Sequence, residues 1–378
     1  MSRVVPVGIA SLPWGLFGAL TALALFGTAV LYSAAGGSMS PWAGPHLQQF
    51  VVFSVAALVV RAMPLSFIRS MVLPAYVGCV LLLILVEVLG QFGGGSKRWL
   101  NLGFMTLQPS ELTKLAVVLA LARFYETLPP VAIRTWTAIW PAAAMLLVPA
   151  GLVAIQPDLD TGLVVVLIGG VIMFLAGLPL RLFLIAGAAV AALAPLAYMF
   201  ALKDYQRTRL LGFLDPESDP LGTGYHAIQA KVAIGSGGLW GKGFLNGTQS
   251  HLDYLPEHHT DLIFATLFEE WGLIGGLAVL FVLMLLLHWS SRVAQIAPSR
   301  FGRLLAAGLT ITLFSYIAMN IATATALTPI MGVPLPLISH GGTAMLTVML
   351  LFGLLMAVDR DAKRSRRSSY SGGGVLAL

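Results

Sequence analysis

The chain has 378 residues, of which 58% are hydrophobic and only 10% are charged. A water-soluble domain carries about 25% charged residues, so this composition excludes a soluble protein and predicts that a bilayer surrounds most of the chain. The net charge of +6 comes from basic residues scattered between apolar runs, a pattern typical of membrane topology signals and not of nucleic-acid binding.

Ten apolar runs are long enough, or nearly so, to cross a bilayer, which takes about 20 mostly apolar residues. The first run follows Arg3 but is longer than the apolar core of a cleavable signal peptide, so we interpret it as an uncleaved first span. Together the runs predict an all-α, polytopic membrane protein with about ten transmembrane helices. The predicted spans are 13–34, 47–62, 67–90, 108–128, 136–155, 161–179, 182–202, 261–288, 302–325 and 342–358.

The basic residues predict an orientation for these spans. If the N-terminus is cytoplasmic, the cytoplasmic connections carry Arg61, Arg134 and Arg181 among others. The opposite short connections near 35–46 and 326–341 contain no Lys or Arg. Because basic loops stay in the cytoplasm, both termini are predicted to be cytoplasmic.

A large extracytoplasmic loop is predicted between spans seven and eight, over about residues 203–260. Loops longer than about 12–15 residues are usually functional or disordered, and this one is too apolar and aromatic for disorder. Within it, 226–234 predicts a short helix on the membrane surface. We treat 1–364 as one transmembrane domain and predict that the Ser/Gly-rich segment 365–378 is a disordered cytoplasmic tail.

The first cluster of charges at the outer ends of the spans surrounds the start of the fourth span. Lys97 and Arg98 precede it, and Glu111 and Lys114 lie three residues apart on one helix face. An ionisable residue in a span costs at least about 2.5–3.5 kcal/mol at the bilayer centre, which makes each one a functional candidate. Two interpretations stay open: Glu111 and Lys114 form a self-neutralising ion pair, or they line a polar cavity that binds an anion or a sugar.

The second cluster is the turn 156–162, which leads into the sixth span. Asp160 is predicted to cap that helix, whereas Asp158 stays open between a cap, a solvated charge and a cation ligand. Arg207 and Arg209 lie where the large loop starts. Their spacing suits binding to one external phosphate group or anchoring to lipid headgroups, and both interpretations stay open.

The third cluster precedes the eighth span, where Asp261 follows His258 and His259. Near a helix start Asp261 would favour the helix dipole, and at the mouth of a membrane cavity it would serve as a general base. Adjacent histidines point apart and the chain has no HExxH pattern, so we predict no zinc site. Glu269, about two turns deeper, is predicted to make structural hydrogen bonds.

Five motifs in chain order resemble the SEDS family, whose members act in shape, elongation, division and sporulation. The resemblance extends from the first span to the last, and the stretch GTQSHLDY resembles the elongation branch more than the division branch. In the last motif His340 occupies a position where many members carry Tyr. The motifs are GSKRWL, QPSELTKLAVVLALARFY, QPDLDTG, LPEHHTDLIFA and PLPLISHGGTAML.

The resemblance implies a peptidoglycan glycosyltransferase of the bacterial cytoplasmic (inner) membrane. Such an enzyme polymerises lipid II into glycan strands at the outer face and releases undecaprenyl pyrophosphate. The implied partners are a class B penicillin-binding protein, which crosslinks the strands, and other membrane proteins of the elongation complex. By motif, Asp261 corresponds to the essential acidic residue of the family. The charged residues of the other motifs fall on Arg98, Glu111, Lys114 and Asp158.

This reaction needs a base for the attacking sugar hydroxyl, positive charge for the leaving pyrophosphate and a groove for two polyprenyl tails. Asp261 is predicted to be the base in a direct displacement with inversion. A divalent cation, Mg²⁺ or Mn²⁺, is a candidate cofactor with Asp158 or Glu111 as ligand. A lipid flippase or transporter and a non-catalytic cell-wall scaffold stay open as alternatives. The residues predicted to stabilise the pyrophosphate are Arg98, Lys114, Arg207 and Arg209.

Overall fold

A computed structural model describes residues 12–93, 96–101, 103, 105–201, 204–215, 224–252, 254–255, 257–329 and 331–372. Within these residues the chain is a helical bundle with one small sheet. Helices α1 to α7 are Trp14–Ala34, Ala43–Ala62, Leu65–Leu89, Pro109–Thr127, Trp136–Ile155, Leu159–Ala176 and Leu180–Leu196. Helices α8 to α13 are Asp204–Leu214, Tyr225–Ser236, Thr248–His251, Ile263–Ile296, Arg300–Ala324 and Gly342–Gly372.

Each of the ten predicted spans coincides with a helix. Among the described residues, 9 helices are long and apolar enough to cross a membrane. The remaining predicted span, α4, carries four charged residues, yet most of its length is buried because it packs against α3, α6 and α12. Charges are tolerated in a span that faces other helices and not lipid. The chain is therefore a multi-pass, all-α membrane protein, as predicted.

A small antiparallel sheet, for which the sequence carries no signal, precedes α4. Its strands are β1 (Gln91–Gly93), β2 (Ser96–Asn101) and β3 (Thr106–Leu107), in the order β1-β2-β3. The backbone N–H of Gln108 donates to the Thr343 hydroxyl over 3.0 Å, and that hydroxyl donates to the carbonyl of Thr106 over 2.9 Å. The sheet is thereby tied to the start of α13.

Helix α11 is kinked at Gly272, whose φ of 65° lies in the left-handed region. The segment 237–243 of the large loop packs on this kink and hydrogen-bonds the backbone groups that the kink releases. Lys242 N–H donates to Glu269 O over 2.9 Å, and Leu273 N–H donates to Gly238 O over 2.9 Å. A Cβ atom on Gly241 would lie 2.1 Å from Glu270 O, so only glycine fits there. The kink is stable in a membrane protein because none of these backbone groups is left unpaired.

Glu269 holds the same loop with its side chain, which confirms its predicted structural role. The carboxylate is 0% exposed and accepts hydrogen bonds from Lys242 Nζ at 2.6 Å and from the backbone N–H groups of Thr248 and Gln249, each at 2.9 Å. One buried side chain therefore fixes the stretch 242–249 of the loop to α11.

Glu269→Gln is expected to lower the free energy of unfolding by about 2–3 kcal/mol, because the buried charge-assisted hydrogen bonds lose their acceptor charge. Thermal unfolding of the purified protein in detergent measures this effect. Glu126→Gln is the matched control, since Glu126 also forms ion pairs, at 2.8 Å to Arg69 and Arg123, but with partly exposed partners. It should cost less than about 1 kcal/mol. Equal losses in both variants would contradict the anchoring role of Glu269.

The large loop contains more helix than was predicted. The predicted helix 226–234 is α9, which packs against α11 and α12. Its position relative to the bilayer surface stays a prediction. At the other end of the chain, α13 continues to Gly372 and so includes the first part of the predicted tail, 365–378. Residues 373–378 lie outside the described residues, and the domain boundary at 364 stays a prediction.

Candidate active site

A cavity of about 340 Å³ lies where the starts of α4, α6 and α13 meet the turn before α11 and the loop after α12. The described part of its wall combines charged and polar side chains with apolar ones such as Trp99 and Pro334. It brings together three predicted site residues that are far apart in the chain, one from each of three sequence motifs. The residues that carry its chemistry are Arg98, Gln108, Asp158, Glu257, Asp261 and His340.

Arg98 and Asp158 form one side of this cavity. Arg98 Nη1 lies 3.6 Å from Asp158 Oδ1, and Arg98 Nε donates to Gln156 O over 3.1 Å. Gln108 Nε2 donates to the other carboxylate oxygen of Asp158 over 3.3 Å. Asp158 occupies the N-cap position of α6 but makes no side-chain capping bond, and Asp160 lies in the first turn and not at the cap as predicted. The Asp158 carboxylate therefore orients Arg98, whose side chain stays 28% exposed.

Asp261 lines the same cavity, where it lies immediately before α11 and is half-buried. Its backbone carbonyl accepts a hydrogen bond of 3.0 Å from Asn320 Nδ2, which also donates to Val333 O over 2.9 Å. The preceding carbonyl, of Thr260, accepts from the Ser339 hydroxyl over 2.6 Å. A Cβ on Gly332 would lie 3.7 Å from Asp261 Oδ2, so a glycine leaves room beside the carboxylate. The backbone of Asp261 is thus fixed by α12 and the loop that follows it.

Three histidines, His258, His259 and His340, lie close to one another beside the turn that carries Asp261. The Trp42 ring stacks on His259 with centroids 4.2 Å apart, and the backbone N–H of His340 donates to the backbone carbonyl of His259 over 2.9 Å. Burial, together with neighbouring His258, lowers the pKa of His259 to about 4. Burial also lowers the pKa of His340. Both imidazoles are therefore neutral at pH 7, and His340 offers the cavity a neutral hydrogen-bonding ring.

The described residues do not supply a ligand set for the predicted divalent cation. No group of three or more His, Cys, Asp or Glu side chains among them could hold a metal ion. The two predicted ligands are both paired with cations, Asp158 with Arg98 and Glu111 with Lys114. The cation stays a prediction.

Glu111 and Lys114 lie behind the cavity and form a closed, buried ion pair. Lys114 Nζ lies 2.6 Å from Glu111 Oε1 and 3.2 Å from the Tyr316 hydroxyl, which in turn donates to the second carboxylate oxygen of Glu111. The residues are 3% and 1% exposed, respectively. Neither side chain is part of the described cavity wall. This geometry favours the ion-pair interpretation, and a direct role in substrate binding stays a prediction.

Arg207 and Arg209 belong to α8, in the large loop. Arg207 Nη2 donates to Met199 O over 2.8 Å, and its guanidinium lies 5.9 Å from the Tyr198 ring centroid, so it ties α8 to the short helical segment Ala197–Ala201 that follows α7. Arg207 is not part of the described wall of the cavity. The side chain of Arg209 lies outside the described residues. Glu257 does line the cavity, although no sequence signal distinguishes it from a solvated loop charge.

Known relatives match nearly the whole chain. The FTSW_RODA_SPOVE family model, described as cell cycle protein, matches residues 12–364. The chain is 42% identical to peptidoglycan glycosyltransferase MrdB of Escherichia coli K12 over 354 residues, covering 92% of this chain and 94% of MrdB. It is 33% identical to the probable peptidoglycan glycosyltransferase FtsW of Trichlorobacter lovleyi over 355 residues, covering 91% and 92%. The higher identity to MrdB agrees with the elongation branch.

Solved structures share the fold. Rod shape determining protein RodA of Thermus thermophilus superimposes with a TM-score of 0.69 at 27% identity, covering 93% of this chain and 98% of that one. A chain from a peptidoglycan synthase complex, studied for the coordination of polymerization and crosslinking, superimposes with a TM-score of 0.79 at 32% identity and the same coverage. The motifs, the helical fold and the similarity over residues 12–364 together show that the chain belongs to the FTSW_RODA_SPOVE family of cell cycle proteins, the SEDS family.

Proposed function

We propose that this protein is a peptidoglycan glycosyltransferase that polymerises lipid II into glycan strands during cell elongation. The observation that carries the proposal is the single cavity that Asp261 lines together with the Arg98–Asp158 pair. A carboxylate and an oriented guanidinium are the two groups that a displacement of pyrophosphate by a sugar hydroxyl requires. The name of the Escherichia coli relative, peptidoglycan glycosyltransferase, supports the same activity.

In the proposed reaction, Asp261 accepts the proton of the attacking sugar hydroxyl. The hydroxyl oxygen bonds to the anomeric carbon of the second lipid II molecule as the bond from that carbon to the pyrophosphate oxygen breaks. Arg98 stabilises the negative charge that develops on the leaving undecaprenyl pyrophosphate. Asp158 and Gln156 hold Arg98 in place. A single base on one side of the sugar suits a direct displacement with inversion.

The proposed location is the outer face of the cytoplasmic (inner) membrane, with both termini in the cytoplasm. Helix α12 runs from Arg300, at the end far from the cavity, to Ala324, near Asp261. Three more basic residues lie at the same far end: Arg61 in the last turn of α2, Arg134 in the connection between α4 and α5, and Arg181 in the first turn of α7. Because basic ends face the cytoplasm, the cavity faces outwards, where lipid II is polymerised.

The proposed partner is a class B penicillin-binding protein, alongside other membrane proteins of the elongation complex. The similarity to a chain of a peptidoglycan synthase complex, in which polymerization and crosslinking are coordinated, supports this proposal. A flippase is the second candidate from the sequence, but transporters bind substrate near the bilayer midplane. The cavity with Asp261 lies at one end of the helices and not halfway along them.

Reconstitution with labelled lipid II tests the proposed activity. The full-length protein and its class B partner are placed in liposomes, and the products are separated by electrophoresis after detergent extraction. We expect a ladder of glycan polymers. Exchange of lipid II between leaflets without polymer would indicate a flippase. The absence of both polymer and exchange would indicate a scaffold.

A further inference from the structure

A second polar cavity lies between α11 and α13, at the end of the bundle away from Asp261. Its volume is about 290 Å³, and its wall includes Trp289 and Arg292 of α11 and Asp359, Lys363 and Arg366 of α13. None of these residues has a part in the proposed reaction. The cavity therefore needs an explanation of its own.

Positive charge dominates this second cavity. Its carboxylate, on Asp359, is 6% exposed, lies 2.6 Å from Lys363 Nζ and also interacts with Arg61 at the end of α2. Its charge is thus already compensated. Arg292 and Arg366 have no hydrogen-bond or ion-pair partner among the described residues, and both side chains are exposed. Two guanidinium groups from two helices are left to face a ligand.

The second cavity lies at the opposite membrane surface from the first. Helix α13 lines the first cavity with Ala344 and the second with Lys363, a separation of about 28 Å at a rise of about 1.5 Å per residue. The hydrocarbon core of a bilayer is about 30 Å thick. Trp289 suits this depth, because tryptophan is enriched at membrane–water interfaces. The cavity therefore opens at the level of lipid headgroups.

We propose that this cavity binds the phosphate group of an anionic phospholipid headgroup. Arg292 and Arg366 supply paired donors for the phosphate oxygens, Lys363 adds charge, and Trp289 contacts the glycerol region. Orientation of the spans accounts for basic residues at this end of the bundle but not for their convergence on a cavity between two helices. A bound lipid would connect α11 and α13, and should therefore stabilise the folded protein.

The test compares two charge-matched double variants of the full-length protein. Arg292→Gln/Arg366→Gln removes the two guanidinium groups of the cavity. Arg134→Gln/Arg181→Gln removes the same charge from two exposed positions at the same end of the bundle, one in the connection before α5 and one in the first turn of α7. Thermal unfolding is followed in micelles of an uncharged maltoside detergent, which contains no phosphate, while phosphatidylglycerol is added, and lipids retained by the protein are counted by native mass spectrometry.

We expect phosphatidylglycerol to raise the Tm of the wild-type protein and of the Arg134/Arg181 variant at the same lipid fraction. The Arg292/Arg366 variant should need at least five times more lipid for the same shift and should lose a retained phosphatidylglycerol molecule. Equal lipid dependence in both variants would overturn the proposal in favour of diffuse surface charge. If inorganic phosphate raised the Tm as much as phosphatidylglycerol does, the proposal that the bound phosphate belongs to a lipid would be wrong.

Discussion

Asp261→Asn is expected to lower the rate of lipid II polymerisation at least 100-fold, because general base catalysis contributes about 10²–10⁴ to a rate. Asparagine has nearly the shape of aspartate and keeps the backbone carbonyl that Asn320 hydrogen-bonds. It cannot accept the proton of the sugar hydroxyl. The fold and the complex with the penicillin-binding protein should therefore survive while the chemical step fails. Initial rates at saturating lipid II measure the chemical step, and thermal unfolding of the variant measures the stability of its fold.

Glu257→Gln is the matched control for this variant. Glu257 lines the same cavity in the same turn, but its side chain is exposed and its carboxylate accepts a hydrogen bond from the Thr260 hydroxyl over 2.9 Å. Its loss should change the rate only a few-fold. If both variants were equally slow, the negative charge of the cavity and not a positioned base would explain the defect. If Asp261→Asn kept more than a tenth of the wild-type rate, the assignment of the base would be wrong.

The spans were predictable because a bilayer imposes one simple requirement, a run of about 20 apolar residues. Helix α4 shows the limit of that rule. Its run carries Glu111 and Lys114 and fails a strict hydropathy criterion, yet it is buried against α3, α6 and α12. The small sheet before it was not predictable, because its position depends on Thr343, more than 200 residues later in the chain.

Two signals in the sequence predicted part of the site: the side of the membrane on which the charged residues lie, and the resemblance of the motifs to a known family. Arg98, Asp158 and Asp261 all precede helices at the same end of the bundle, and the structure places them around one cavity. Spacing within a helix says which residues share a face, but not what that face contacts. For this reason Glu111 and Lys114 stayed ambiguous. The kink at Gly272 depends in the same way on a loop about 30 residues earlier that supplies its hydrogen bonds.

Lys114→Met is expected to destabilise the protein by about 3–5 kcal/mol, because it leaves the Glu111 carboxylate buried without its cation. The double variant Glu111→Gln/Lys114→Met removes both charges and keeps an oxygen that accepts the Tyr316 hydroxyl. It should recover most of the lost stability, since replacing a buried ion pair by neutral groups is often close to neutral. Denaturant unfolding of the wild type, both single variants and the double variant measures the coupling energy. A double variant as unstable as Lys114→Met would contradict a self-neutralising pair.

Polymerisation by the same double variant decides between the two interpretations of this pair. If Glu111 and Lys114 only neutralise each other, activity should return together with stability. If they act on the substrate, the double variant should fold and yet stay inactive. The second outcome would require lipid II to reach deeper than the first cavity. The adjoining space, lined by Tyr316 and sharing Pro334 and Ala344 with the wall around Asp261, has a volume of only about 10 Å³, enough for about one water molecule, so the surrounding helices would have to move apart to admit a substrate group. Since Tyr316 contacts both members of the pair, a substrate group entering there would meet the hydroxyl that links the ion pair to the cavity.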